Sequence, residues 1–358
     1  MILMKKMYIV LQDGHIFEGK GFAADGEVTG ELVFTTGMVG YIETLTDAAY
    51  YGQIVMQTFP LIGNYGMISE DKLLDKSVVN GYVVREWCEK PSNFRCEENI
   101  LPFLTESNIV SICDVDTREI TKIIRENGVM NACITDDPSK VDLKALAEYR
   151  IKDAVKAVSC TEKSVHTAEN EKYKVAVLDL GAKLSIENEL LARGCTVITV
   201  PYNTTAEEIL ALGVDGMVIS NGPGDPADCD AIVAEIKKLM GKIPMFGISL
   251  GHQLMALAAG AKTEKLKYGH RGSNQPVKEL ASGKVFVTSQ NHGYAVVSDS
   301  LDSKNSTVSF INVNDNTCAG IDYADKAFSV QFYPGGCEGA TDAVVLYDKF
   351  VSLMGGDK

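Results

Sequence analysis

The second half of the chain alternates short apolar runs with amphipathic stretches at a regular spacing. Residues 175–180 read as a buried strand, Gly181 turns the chain, and 185–193 read as a helix that Gly194 ends. A second strand is expected at 196–200. Thr205 and Glu208 then form a capping box ahead of the apolar residues 209–212. The run 216–219 predicts a third strand. Ile232, Val233, Ile236, Leu239 and Met240 fall on one stripe of a helix that Gly241 closes. A fourth strand is expected at 243–248, with a helix over 250–259. Strand and helix alternating in this way predict a doubly wound, mostly parallel sheet, an α/β fold.

The first half has a different texture. Residues 7–11, the Asp13-Gly14 pair and residues 15–17 read as a hairpin. Asp116-Thr117 caps a helix over 118–127, with Ile120, Ile123 and Ile124 on one face and Gly128 after it. Asp114 and Asp116 resemble a catalytic carboxylate pair, but a helix cap beside a salt bridge accounts for them. Short strands with few helices predict an α+β domain over 1–150. Residues 151–172, polar, lysine-rich and without period, are expected to be a linker, and 173–358 a second domain.

Composition narrows the function classes. The chain has 358 residues, enough for two or three domains, with 46% hydrophobic and 23% charged residues, as in ordinary globular proteins. A net charge of −14 argues against unaided binding to nucleic acid or to an anionic membrane. The nine cysteines show no C-x-x-C pair and no zinc-site spacing, and read as reduced thiols. The apolar run near the N-terminus breaks at Gln12-Asp13-Gly14, too early for a signal peptide, and no stretch is long enough to span a membrane. A cytoplasmic protein is expected.

The chemistry gathers at the predicted carboxyl ends of the strands, where sites form in open α/β sheets. Three strings lie there: Gly181-Ala182-Lys183, the SNGPGDP of 220–226, and the GISLGHQ of 247–253. SNGPGDP lacks the Gly-Lys-Ser/Thr ending of a phosphate loop. In GISLGHQ, Ser249 stands at the tip of a strand-turn-helix, flanked by Gly247 and Gly251, as in a nucleophile elbow.

Together with KYGHRGSNQPV (267–277), TSQNHGYAV (288–296) and FSVQFYP (328–334), these strings resemble the small, glutaminase subunit of carbamoyl phosphate synthetase, which carries a class I, triad-type glutamine amidotransferase domain. VFTTGMVGYIETLTDAAYYGQIV (33–55), FPLIGNYG (59–66) and DVDTREITKIIRENG (114–128) extend the likeness to the first half. The resemblance implies attack of a cysteine thiolate on the glutamine side-chain amide. A histidine moves the proton, and a carboxylate orients the histidine. It also implies ammonia delivery to a large subunit that uses bicarbonate and MgATP, with carbamoyl phosphate feeding pyrimidine and arginine synthesis. No cofactor is implied in this chain, and the expected partners are the large subunit and glutamine. Residues 1–150 would associate with the large subunit.

Carried over residue by residue, the resemblance puts Ser249 at the nucleophile position, Tyr333 at the base position and Gly335 at the acid position. Glutamine-contacting positions fall on Gly37, Gly222, Gly224, Leu250, Gln253, Asn291, Gly293 and Tyr294. Gly37 stands where relatives have a small hydroxyl residue. A serine hydroxyl needs a base beside it, a tyrosine with an ordinary pKa of about 10 is a weak one, and glycine orients nothing. Glutaminase activity is therefore expected to be weak or absent, with the binding frame and a backbone oxyanion site at Leu250 kept. The alternatives are a rearranged active site using His252 or His292, a serine hydrolase, and a non-catalytic glutamine-binding protein.

Overall fold

The structure, a computed structural model, describes residues 4–335 and 341–355. The chain divides into two compact units, Met1–Ala154 and Val155–Lys358.

In the first unit most of the described strands close into a barrel, and Leu61–Ile62 and Glu86–Trp87 form a small separate sheet. Lys5–Leu11 pairs antiparallel with Ile16–Gly21 through the tight turn at Asp13-Gly14, where Gly14 has φ 92°. This is the hairpin that the alternation predicts. The helix Thr117–Asn127 begins where Asp116 accepts a hydrogen bond from the Glu119 N–H and ends at Gly128, φ 94°. Its Ile120, Ile123 and Ile124 pack with Ile9, Leu32, Ile54 and Ile112 of the strands. Asp114 pairs with Lys20, so the two aspartates are a salt bridge and a cap. On the other side of the sheet, Val55 and Tyr82 pack against Ile42 and Leu45 of the short helix Tyr41–Thr46.

The second unit is built on one twisted sheet. Its centre is parallel, with neighbours in the order Cys195–Pro201, Tyr173–Asp179, Gly216–Ile219, Met245–Ile248 and Ala327–Val330. The helices Leu184–Ala192, Ala206–Ala211 and Asp230–Leu239 connect the parallel strands, and Leu250–Ala258 leads from the strand Met245–Ile248 into the antiparallel part. They fall where the apolar spacing predicts, and the Thr205–Glu208 capping box is present. One apolar cluster lies on each face of the sheet. Ala176, Leu178, Met217 and Ile219 meet the helices of 206–211, 230–239 and 250–258. Val175, Val177, Val218 and Phe246 meet Ile186, Leu190 and Phe350.

Beyond the parallel centre the sheet runs antiparallel, through Cys318–Tyr323, Ser306–Asn312, Thr263–Glu279 and Val285–Val296. Short turns join Thr263–Glu279 to Val285–Val296, Ser306–Asn312 to Cys318–Tyr323, and Cys318–Tyr323 to Ala327–Val330, and a tight turn can only reverse the chain; the longer link 297–305 carries the 3-10 turn Ser298–Ser300.

Residues 151–172, expected to be a linker, are largely built into the units. Ile151 lies against Gly52 in the first unit. The short helix Ala154–Val158 spans the boundary, and in the second unit Ser164–His166 is an edge strand, antiparallel to Cys195–Pro201. The strand is three residues long and exposed throughout, so no alternation marks it. No helix among the described residues is long and apolar enough to cross a membrane.

Candidate functional site

Ser249 sits between the strand Met245–Ile248 and the helix Leu250–Ala258 with φ 54° and ψ −107°, a backbone conformation that costs energy outside glycine. The surroundings hold it there. The Ser249 N–H donates to the Val330 carbonyl at 2.8 Å, the Gly251 N–H to the Ser220 carbonyl at 3.1 Å, and the Gln253 N–H to the Ser249 carbonyl at 3.2 Å. Both flanking glycines are required by space. A Cβ at Gly247 would lie 2.6 Å from Met255 Sδ and 2.8 Å from the Gly251 carbonyl oxygen; one at Gly251 would lie 2.2 Å from the Ile219 carbonyl oxygen. Helix and strand therefore touch backbone to backbone, which forms the sharp turn of an elbow. Leu250 is the first residue of the helix, so its N–H has no acceptor within the helix and points out of the helix start.

Two further loops are fastened to this turn. The Leu180 N–H donates to Ser220 Oγ at 2.9 Å, the Lys183 N–H to Asn221 Oδ1 at 3.1 Å, and Asn221 Nδ2 to the Gly181 carbonyl at 2.8 Å. Ser220 and Asn221 are completely buried. Asp179 braces the same loop, accepting from the N–H groups of Gly181, Ala182 and Cys160. A Cβ at Gly222 would strike the Leu180 carbonyl oxygen at 2.2 Å and Leu250 Cδ2 at 2.9 Å. Gly224 has φ 97°. The strings of 181–183, 220–226 and 247–253 thus come together as one site at the carboxyl edge of the sheet.

Gln253 and the strand Val285–Val296 bring in other candidates. Gln253 Nε2 donates to the Tyr294 carbonyl at 2.7 Å and to Gln331 Oε1 at 2.9 Å. Asn291 lies opposite Arg271 in the antiparallel pair, and Gly293 and Tyr294 follow it. Gly37 belongs to the first unit, in the turn after the strand Val28–Thr35. Its N–H reaches Thr35 Oγ1 at 3.5 Å, and a Cβ there would sit 3.0 Å from the Val39 carbonyl oxygen.

Tyr333 follows the strand Ala327–Val330, and its N–H donates to the Ser289 carbonyl at 3.0 Å. The ring is 5% exposed and packs with Phe332, Ile186 and Leu190. Lys183 Nζ lies 3.6 Å from the ring centroid, a cation–π contact. At Gly335 there is room for a side chain, since a Cβ would meet Ser185 and Glu189 at 3.5 and 3.8 Å, ordinary contact distances.

Each histidine is engaged elsewhere. His15 contacts Asp13, and His166 contacts Glu187. His252 Nδ1 meets Ser329 Oγ at 2.7 Å, and burial pushes its pKa down to about 3. His292 Nδ1 meets the Tyr294 carbonyl at 2.7 Å, and its Nε2 meets Gln290 at 2.9 Å. Its pKa falls well below the usual imidazole value, first through burial and then through the neighbouring His270 and Arg271 charges. His270 Nε2 contacts Asp315 at 2.7 Å. Among the described residues no cluster of His, Cys, Asp and Glu could hold a metal ion.

The quoted strings contain Ser220, Ser329 and Gln331 without giving them a role; with Asp179 they are the polar groups that hold this arrangement together. Their sign in the sequence is a polar side chain inside or just after an apolar run, which marks a group that must find a partner in the core.

Two family models match the chain: the CPSase domain of the carbamoyl-phosphate synthase small chain over residues 9–134, and the class-I glutamine amidotransferase over residues 176–353. A carbamoyl phosphate synthase small chain of Oceanobacillus iheyensis is 45% identical, covering 99% of this chain and 98% of its own length. One from Bacillus caldolyticus is also 45% identical, covering 98% and 96%. Among solved structures, a glutamine amidotransferase from Thermotoga maritima covers 47% of this chain and 76% of its own at 18% identity, with a TM-score of 0.37.

Proposed function

Since the chain belongs to the carbamoyl phosphate synthase small-chain family, we propose that it keeps the role of a small subunit while having lost the glutaminase chemistry. Ser249 stands at the nucleophile position, Tyr333 at the base position and Gly335 at the acid position. The observation that carries this reading is the state of Tyr333, a buried phenol packed in the core under the Lys183 ammonium at 3.6 Å.

A serine hydroxyl attacks an amide only as its proton leaves, so it needs an acceptor within hydrogen-bond reach. A phenol under an ammonium is a poor acceptor. The buried imidazoles of His252 and His292 are held neutral with depressed basicity, and they hydrogen-bond Ser329, Tyr294 and Gln290. Their lowered basicity makes both poor acceptors for the Ser249 proton. Loss of triad members removes on the order of 10⁴- to 10⁶-fold in rate.

The frame that binds rather than reacts is kept. It comprises the strained elbow, the Leu250 N–H at the helix start, the close approach at Gly222, and Gln253 tied to Tyr294. We take glutamine as its ligand, contacted at Gly222, Gly224, Leu250, Gln253, Asn291, Gly293 and Tyr294. Residues 1–150 associate with the large subunit, where bicarbonate, MgATP and ammonia give carbamoyl phosphate for pyrimidine and arginine synthesis.

The test is carbamoyl phosphate formation by this chain with a cognate large subunit, with glutamine or ammonia as the nitrogen donor. Formation from ammonia alone is expected. Formation from glutamine at a comparable rate would overturn the reading.

A further inference from the structure

Behind the segment Asn291–Tyr294 lies a buried cation. Arg271 is 6% exposed, in a chain whose net charge is −14. Its Nη1 donates to the Tyr268 carbonyl at 2.8 Å. Two glycines make room for the guanidinium. A Cβ at Gly269, where φ is 72°, would meet Nη1 at 2.5 Å and the His292 carbonyl oxygen at 2.4 Å; a Cβ at Gly293 would meet Nη2 at 3.4 Å. Arg271 and Asn291 face one another in the strand register. The guanidinium thus lies directly behind the Gly293 backbone. The other side of the same segment is tied to the elbow helix by Gln253 Nε2 on the Tyr294 carbonyl, and His292 Nδ1 meets that carbonyl as well.

We propose that Arg271 is a positioning and specificity residue for an α-amino-acid ligand, its buried positive charge favouring the ligand's α-carboxylate. The inference rests on the reading that this pocket binds glutamine. A fixed positive charge in a medium of low dielectric acts over several ångströms without touching the anion. Burying a guanidinium is costly, and the two glycines show that the backbone is shaped around it. Lysine keeps the charge but lacks the planar fork, one nitrogen of which donates to the Tyr268 carbonyl while the other lies beside Gly293.

The test is calorimetric titration of the full chain with L-glutamine and with L-glutamine methyl ester, which keeps the amide and the amine but loses the carboxylate charge. The wild-type chain is expected to bind glutamine at least about fivefold more tightly than the ester. Arg271→Met is expected to remove that preference by weakening glutamine while leaving the ester unchanged, and Arg271→Lys to restore part of it. Thermal unfolding checks that each variant folds. Equal binding of both ligands by the wild-type chain would overturn the proposal even if Arg271→Met failed to fold, as would equal weakening of both ligands in that variant, the mark of a mere brace. Wild-type chain that binds neither ligand would overturn the glutamine-pocket reading together with the proposal, an outcome distinct from binding without discrimination.

Discussion

Gly251 comes so close to Ile219 that a Cβ on the glycine would lie 2.2 Å from the isoleucine carbonyl oxygen. The obstacle is main chain in a central strand, so it cannot swing away as a side chain would. Gly251→Ala must push the helix Leu250–Ala258 off the sheet, straining the Ser249 turn and the bond from the Gly251 N–H to the Ser220 carbonyl. We expect a loss of about 3 kcal/mol or more in denaturant unfolding, in the range of overpacking plus backbone strain. Gly260→Ala serves as the control. It has φ 92° but nothing within 4 Å, so only the left-handed backbone penalty of about 1 kcal/mol applies. Equal losses in the two variants would refute the close-approach argument.

That approach also explains what could be read in advance. The elbow was legible because its glycines bracket one residue between an apolar run and a helix pattern. The strands and helices of 173–259 were legible because they bury one face and follow strict periods. The strand Ser164–His166 was not legible, since it is short, exposed and defined only by its partner at 197–199. The antiparallel half of the sheet was equally hidden, because nothing local in 263–323 states which strand lies beside which. At the site, residue types named the loops, whereas the contact of Lys183 with Tyr333 joins positions 150 apart in sequence. Ser329 lies within the string 328–334, yet its part as partner of His252 joins positions 77 apart and shows only in the fold.

His252 sets a pH dependence. Its pKa is pushed down to about 3 in the fold by burial, against about 6.5 in an unfolded chain. Below about pH 6.5 the unfolded chain takes up a proton that the fold refuses. The stability from this group is complete above that value and is lost as pH falls toward 3. Between about pH 6.5 and 5 the loss approaches 1.4 kcal/mol per pH unit for each such histidine, and His292, also depressed, adds in the same direction. His252→Asn, whose amide can still donate to Ser329 Oγ, should lower the slope of unfolding free energy against pH by about one proton. An unchanged slope would mean that His252 takes up its proton as readily in the fold as in the unfolded chain.

In the first unit, Tyr65 replaces the usual capping side chain of the helix Tyr41–Thr46. Its hydroxyl accepts from the Gly40 N–H at 2.9 Å and the Tyr41 N–H at 3.2 Å, while Gly40, with φ 85°, offers no side chain. The two rings stack at 4.1 Å. Tyr65→Phe keeps the stack and strands two helix-start donors, so a loss of about 1–2 kcal/mol is expected. The preceding turn at 36–39 should also lose protection from amide hydrogen exchange. A neutral substitution would mean that water caps the helix equally well.

If the loss of the three triad side chains is what silences the site, replacing them should restore the reaction. The frame at each position is fixed by backbone, not by the side chain to be exchanged. Ser249 is held through its N–H on the Val330 carbonyl, and Tyr333 through its N–H on the Ser289 carbonyl. Gly335 has ordinary space toward Ser185 and Glu189. Ser249→Cys alone supplies a better nucleophile without a base, and should leave glutamine hydrolysis at background. Adding Tyr333→His and Gly335→Glu supplies the proton acceptor and the group that orients it, the combination that makes a thiol attack an amide. The triple variant with the large subunit should therefore hydrolyse glutamine at least about 10³-fold faster than the wild-type chain, since members of a triad act as a unit. Ammonia release and thiol labelling by a glutamine-like electrophile, measured together, separate the possible failures. A labelled but inactive triple variant would place the fault at the base position. An unlabelled one would mean that the pocket no longer admits the ligand, and the idea of a retained binding frame would fall with it.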